Sequence, residues 1–368
     1  MGKQLKVSYL NFILIIILIL PLALTSCNSG NTKIPVNSPT TNTTFNPTGQ
    51  TLNPTSQPII EPTNGPNKKT ADTGIINKDE YSLTVLSTND IHGHFETMPG
   101  YATIIKQVRN EQKNVILLDA GDLFKRGKYE NYQGKIEIDL LNQMGYNAMV
   151  LGNNEFKVPG SKKSKKNSGT LQESDSQISD LVKWAKFPIL CGNVKLKNTD
   201  NYMEGIKPYT IVNVNGMKVG IIGITSTSPQ EEKLEMTVNK NFMSGLMVVK
   251  ELLPEVKSNS DIQIVLSHAG MSINKKIKDV SAVISGHDHM TTFKPIDTNG
   301  IPIIQAGGED TNHLGRLDLN FKRQGNEWVL DSYNGKLYSD EGIAKDEKIK
   351  SIIDGYIKRP MPTLNPIR

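Results

Sequence analysis

Leu83-Thr84-Val85-Leu86, running into Thr88-Asn89-Asp90-Ile91-His92-Gly93-His94, is the stretch from which the fold is read. Its first four residues alternate in the manner of a buried strand, so the polar segment behind them is the loop at that strand's carboxyl end. In an extended segment residues i and i+2 point the same way. Asp90 and His92 can therefore aim an oxygen and a nitrogen at one place, and Gly93 frees the backbone to turn away. This is half of a metal site. Asp and His beside a strand also serve as turn residue and surface side chain, so the second half must come from elsewhere in the chain.

Outward from this point, strands and helices alternate. Tyr101–Glu111 reads as a helix, Val115–Leu118 as a strand, Ile136–Met144 as a helix, and Ala148–Leu151 as a strand. A helix over Ile178–Lys186 and a short strand over Pro188–Cys191 follow a polar insertion. Strands over Tyr209–Val214 and Lys218–Ile224 are joined by Asn215-Gly216, a strong hairpin signal. A helix over Gly245–Lys257 precedes strands over Ile262–Leu266, Ala282–Ile284, Pro302–Gln305 and Leu314–Phe321. The pattern predicts an α/β domain of two β-sheets packed face to face with helices outside. At roughly 250 to 290 residues it is long for a single domain but acceptable.

Four further strands end in potential ligands. Val115–Leu118 runs into Asp119-Ala120-Gly121-Asp122, Ala148–Leu151 into Gly152-Asn153-Asn154-Glu155, Ile262–Leu266 into Ser267-His268, and Ala282–Ile284 into Ser285-Gly286-His287-Asp288-His289. Five of the six histidines fall in these loops or in the opening one. Each residue has an ordinary structural use: Asp122 as a turn residue or N-cap, Asn153 in a left-handed turn, His268 as a satisfied buried histidine. In open α/β sheets, however, ligands gather at the carboxyl ends of strands, and five such loops together describe one site.

In order and spacing these segments resemble the calcineurin-like metallophosphoesterases, and most closely the N-terminal catalytic domain of the 5'-nucleotidase and UDP-sugar hydrolase branch. The resemblance runs from about Tyr81 to Trp328. It includes Gln305-Ala306-Gly307-Gly308 and Leu314-Gly315-Arg316-Leu317. It implies two mixed sheets between helical layers and two divalent metal ions. Asp90, His92 and His289 would hold one ion, Asn153, His268 and His287 the other, and Asp122 would bridge them. Such a pair clamps phosphate oxygens and activates a shared water, so the implied reaction is phosphate-ester hydrolysis by a metal-bound hydroxide. Mixed imidazole, carboxylate and amide donors suit Zn, Mn, Fe or Co rather than Ca. The substrate implied is a phosphorylated small molecule, nucleotides among the candidates. His94 is expected beside the ligands, orienting one or touching phosphate, and His313 at the rim.

The chain departs from the family motif after the asparagine ligand. There the family carries a histidine, and three residues later an aspartate that orients it; Asn154 and Lys157 stand in these positions. An amide donates a hydrogen bond but does not deliver a proton, and a general acid is worth about 10² to 10⁴ in rate. Three expectations follow. The chain is a slower phosphoesterase for good leaving groups, or Lys157 and its basic loop supply the missing charge, or it is a catalytically impaired binding lipoprotein. The segment Glu341–Ile357 resembles the start of the helix that in 5'-nucleotidases leads to a base-binding domain, and no such domain is expected before Arg368.

The amino-terminal segment is not fold material. Lys3 and Lys6 precede an apolar run from Phe12 to Ile19, and Leu24-Thr25-Ser26-Cys27 resembles a bacterial lipobox. Residues 1–26 are read as a lipoprotein signal peptide and Cys27 as the lipidated residue, with the membrane as a partner at the extracytoplasmic face. Residues 27–78 are rich in Asn, Thr and Pro, poor in large apolar groups, and read as a disordered tether reaching roughly 40 Å. Residues 79–340 form the expected catalytic domain and 341–368 a carboxyl-terminal helix and tail. Removing the signal takes away Lys3 and Lys6 and no acid, so the formal charge of +5 becomes +3. That balance predicts no nucleic-acid binding. With Cys27 lipidated only Cys191 remains as a thiol, which excludes an internal disulfide, and a monomer is expected.

Overall fold

A computed structural model of the chain describes residues 79–124, 127–157, 171–309 and 313–363. The expected signal peptide, Cys27, the tether and most of the lysine-rich loop after Lys157 lie outside the described residues.

The strands are β1 (Glu80–Thr88), β2 (Val115–Asp119), β3 (Ala148–Val150), β4 (Ile189–Leu190), β5 (Val194–Leu196), β6 (Tyr209–Val214), β7 (Met217–Thr225), β8 (Lys240–Phe242), β9 (Ile262–His268), β10 (Ala282–Ser285), β11 (Ile296–Thr298), β12 (Ile301–Gln305), β13 (Leu314–Gln324) and β14 (Glu327–Tyr338). The α-helices are α1 (Met98–Glu111), α2 (Lys135–Met144), α3 (Leu171–Trp184), α4 (Ser228–Glu231), α5 (Gly245–Asn259), α6 (Met271–Asn274) and α7 (Glu347–Ile357).

Two six-stranded mixed sheets result, ordered β14-β13-β1-β2-β3-β4 and β11-β12-β10-β9-β7-β6, with β5 and β8 as a separate two-stranded ribbon. The period of two in each strand decides the layers. Leu83, Val85, Ile116 and Leu118 of the first sheet meet Ile262, Ile264, Leu266, Ala282 and Ile284 of the second in one buried cluster. The intervening Leu86 and Leu117 point the other way, against apolar residues of α1, α2 and α3. Val265 and Val283 likewise turn outward onto Val249, Leu253 and Val256 of α5. The order helix, sheet, sheet, helix is the architecture that the alternation predicts.

Strands β1, β2 and β3 are parallel neighbours, as are β9 and β10. All five ligand-bearing loops therefore leave their sheets at carboxyl ends. Asn215 and Gly216, both at positive φ, turn β6 into β7 as a hairpin.

Some elements differ from the sequence reading. The strand β14 is absent from it: the alternate residues of this strand are only half-buried, since it forms the outer edge of the first sheet against β13. The last helix starts at Glu347 rather than Glu341, because the Asp346 carboxylate accepts from the backbone N–H groups of Lys348 and Ile349 and caps it there. Ile349 and Ile353 then pack into the same cluster as α1 and α2.

Candidate metal centre

Asp90, His92, Asp122, Asn153 and His268 are buried, and His287 and His289 partly so. They converge in two groups. In the first, His92 Nε2 lies 3.2 Å from His289 Nε2, and His289 Nε2 lies 3.3 Å from Asp90 Oδ1. In the second, His268 Nε2 lies 3.2 Å from Asn153 Oδ1 and 3.3 Å from Asp122 Oδ2, and His287 Nδ1 lies 2.9 Å from Asn153 Oδ1. The groups touch through carboxylates. Asp122 Oδ2 is 3.7 Å from His92 Nε2, and Asp90 Oδ1 is 3.9 Å from His268 Nε2.

These spacings fit cations. Donors about 2.1 Å from a metal stand roughly 3 to 3.4 Å apart in octahedral or tetrahedral shells. Asp90 is the clearest witness. Its Oδ2 accepts from His287 N at 2.9 Å and Asn89 Nδ2 at 2.8 Å, while its Oδ1 is fully buried with no hydrogen-bond partner. A buried carboxylate oxygen facing imidazole nitrogens needs a positive partner. Two candidate clusters, Asp90/His92/His289 and Asp90/Asp122/His268, thus form a site suited to two divalent ions.

The convergence does not arise as the sequence reading supposes. Asp90 and His92 are not extended; both have φ of 50°, and Asp122, His287 and His289 are left-handed as well. Left-handed backbone is uncommon outside glycine, and concentrated here it marks a loop geometry set by its surroundings. Those surroundings are visible. Asp90 N, His92 N and Gly93 N donate to the carbonyls of Gly121, Asp122 and Leu123, zipping the first loop to the second. At Gly286 a side chain would fall 2.6 Å from Ala120 O and 2.9 Å from His268 Nδ1, so the fifth loop approaches to a distance only glycine allows.

Electrostatics favour cations too. Burial works against ionisation of Asp122, yet His268 and His92 hold it well below the ordinary carboxylate range. Burial also opposes the charging of His268, but Asp122 and Asp90 override it and push the imidazole up to about 10. The His268 Nδ1 faces Ala120 O at 2.7 Å, which leaves Nε2 for the cluster. His287 is pulled down by burial and by its neighbour His268.

Three supporting residues carry the site although the sequence reading assigns them no role. Glu155 is fully buried, and its carboxylate accepts from Asp122 N and Leu123 N at 2.9 Å and from Gly152 N at 2.6 Å. It locks the second loop to the third, and burial together with Asp122 raises its pKa to about 8. Asn89 donates to Asp90 Oδ2 and Gly307 O and accepts from Ala306 N. Asp119 accepts from Thr88 Oγ1 and Gly121 N, and burial lifts it to about 7. The signal available for them is a polar side chain abutting an apolar strand with no solvent to face.

The remaining expected residues lie around the clusters. The Asn154 side-chain amide donates to Asp122 Oδ2 at 2.6 Å and its backbone N–H to Asp122 Oδ1 at 2.8 Å. Lys157 is half-buried, its N–H donating to Asn154 O and its carbonyl accepting from Gln177 Nε2. His94 is 43% exposed and stands 4.0 Å from Glu309, outside both clusters. Asp288 turns from the clusters and accepts from Met271 N. The ring of His313 meets that of Phe293 edge-on.

Residues 83–291, more than half of the chain, match the family described as calcineurin-like phosphoesterase, and the chain belongs to it. It is similar to the trifunctional nucleotide phosphoesterase protein YfkN of Bacillus subtilis, 29% identical over 302 residues, covering 75% of this chain and 20% of that protein. It is also similar to the 5'-nucleotidase of Homo sapiens, 28% identical over 319 residues, or 75% of this chain and 52% of that one. The chain thus spans about half or less of the curated relatives it matches. Among solved structures, the 5'-nucleotidase precursor of Thermus thermophilus superposes with a TM-score of 0.62 at 23% identity, over 76% of this chain and 59% of that one. The YfkN calcineurin-like phosphoesterase superposes with a TM-score of 0.61 at 22% identity, over 75% and 96%. Both likenesses concern the fold.

Proposed function

We propose that this chain is a 5'-nucleotidase-like, metal-dependent phosphoric ester hydrolase that cleaves phosphorylated small molecules, nucleotides among them, outside the cytoplasm. The observation that carries this reading is the bare, buried Asp90 Oδ1 set among three imidazoles. Asp90, His92 and His289 would hold one divalent ion and Asn153, His268 and His287 the second. Asp122 would bridge them, since its Oδ2 reaches both groups. Two such ions supply Lewis acidity for the phosphate and a lowered pKa for the attacking water.

The chain's own residues then orient and enclose. Ala120 O fixes the His268 tautomer, and Glu155 keeps the Asp122 loop against the Asn153 loop. Asn154 offers an amide donor beside the bridging position, suited to a phosphoryl oxygen rather than to proton delivery. Binding without turnover is the competing expectation, drawn from Asn154 and Lys157 alone. The carboxylates and imidazoles of the site are intact, and turnover of good leaving groups needs little more than these. Location rests on Lys3, Lys6, the apolar run and Cys27, which together support a lipid anchor on the outer face of the membrane.

The test is metal analysis of the reconstituted protein together with a panel of aryl, alkyl and nucleoside phosphates, run beside Asp122→Asn. Two ions per chain and hydrolysis abolished in Asp122→Asn are expected. A chain that holds two ions yet turns over nothing until Asn154→His/Lys157→Asp is introduced would not be an enzyme, and one that holds no ion has no such site. Loss of membrane association in Cys27→Ala tests the anchor.

A further inference from the structure

The end of the domain opposite the metal centre carries a second opening. A cleft of about 640 Å³ lies there, between the amino ends of β7, β9, β10 and β12 on one side and the start of β14 on the other. Small-molecule sites run to roughly 300 to 1,000 Å³. The strand β9 joins the two ends. Asp261, just before it, lines the cleft, and His268, the last of its 7 residues, belongs to the metal centre, about 20 Å away. The cleft is therefore separate from the metal centre and shares no residue with it.

Its make-up selects a ligand. Trp328, Leu330, Val280 and Ile301 give it an apolar wall. The indole of Trp328 is half-buried and held in place, with Tyr81 edge-on at 6.2 Å and the Arg323 guanidinium 5.8 Å from the ring centre. Another wall is fixed by a clasp: Asp261 N donates to Lys218 O, and Lys218 N to Asp261 Oδ2, each at 2.8 Å. Asn299, Asn326 and Ser281 also line the cleft, and their side chains make no hydrogen bond among the described residues. Charge is nearly balanced, with Lys218 and Lys257 set against Asp261, Asp279 and Glu327. Nucleic acid or an anionic lipid surface calls for a surplus of cations, which this lining lacks. An amphipathic helix calls for a continuous apolar groove, which the amides and carboxylates interrupt. A rigid aromatic wall beside amides, a hydroxyl and carboxylates instead suits a neutral ring with an apolar face and hydroxyl edges.

We propose that this cleft is a carbohydrate-binding site, which takes a neutral oligosaccharide of pyranose units and holds the protein on a polysaccharide while the metal centre stays open at the other end. Binding needs neither metal nor phosphate, so it stands apart from the phosphoesterase reading. The probes are triacetylchitotriose and maltotriose, added to the metal-free full chain and followed by saturation-transfer NMR and calorimetry. Trp328→Ala removes the indole, and Ser258→Trp adds bulk to the cleft from an exposed position. At least one trisaccharide should bind the wild type, about tenfold more weakly in Trp328→Ala and not measurably in Ser258→Trp. Hydrolysis of an aryl phosphate by the metal-loaded chain should be unchanged in both. Should Trp328→Ala fail to fold, Ser258→Trp alone decides. A wild type that binds neither trisaccharide, or a Ser258→Trp variant that binds as the wild type does, refutes the site. Sugar binding lost in Ser258→Trp supports it, even in a chain that hydrolyses no phosphate ester.

Discussion

Asp90→Asn isolates the metal-binding role of one oxygen atom. In the wild type Oδ2 is saturated by His287 N and Asn89 Nδ2, and Oδ1 is bare among imidazole nitrogens. An asparagine can keep its carbonyl oxygen on those two donors, which puts its NH2 where Oδ1 was. That group has no lone pair for a cation. The backbone φ of 50° suits Asn as well as Asp, and one buried negative charge disappears from beside Asp119 and Asp122. The metal-free variant should therefore unfold within about 1 kcal/mol of the metal-free wild type, or later. A ligand at 100 times its Kd stabilises by about 2.7 kcal/mol, so two filled sites give the wild type about 5 kcal/mol, or about 10 °C or more in Tm for a domain of this size. The variant should bind one ion and retain about half of that shift. Scanning calorimetry with and without Mn²⁺ or Zn²⁺, paired with metal counting, measures both. Two ions and the full wild-type shift in Asp90→Asn would refute the role given to this oxygen.

Further outcomes follow from other groups. Glu155→Ala leaves three buried N–H groups without an acceptor, and urea unfolding should show a loss of about 3 kcal/mol or more together with weakened metal binding. Glu137 is buried with an unpartnered Oε2, and burial lifts its pKa to about 8. The folded form thus holds its proton more tightly than the unfolded chain. The resulting stability, up to about 5 kcal/mol, is complete below about pH 4.5 and disappears as pH rises through 8. Glu137→Gln should flatten that part of the stability profile between about pH 4.5 and 8; an unchanged slope would show that Glu137 does not titrate there. Asn154→His/Lys157→Asp should raise kcat on alkyl phosphates by about 10² and change aryl phosphates less, because only poor leaving groups need a proton.

Much of the fold is legible in the sequence because its signals are local. Leu83, Val85, Ile116, Leu118, Ile264 and Leu266 alternate with residues facing the helices, and that period alone places two sheets back to back. The edge strand β14 escapes such a reading because its inward residues are only half-buried and a bulge at Asp331 breaks its alternation. The ligand-bearing loops are legible as polar residues at strand ends. Glu155 and Asn89 show there only as polar residues beside strand ends; the partners that give them their role, Asp122 N and Leu123 N for Glu155 and Ala306 N and Gly307 O for Asn89, lie on other loops far along the chain.

The same division runs through the site. Residue types and their positions at the carboxyl ends of β1, β2, β3, β9 and β10 were determined by the sequence alone, because strand period and strand end are properties of neighbouring residues. That Asp90, His92, Asp122, His287 and His289 adopt left-handed backbone was decided only by tertiary structure. Their conformations are unfavourable in isolation and persist because hydrogen bonds between loops, made across long separations in the chain, over-determine them.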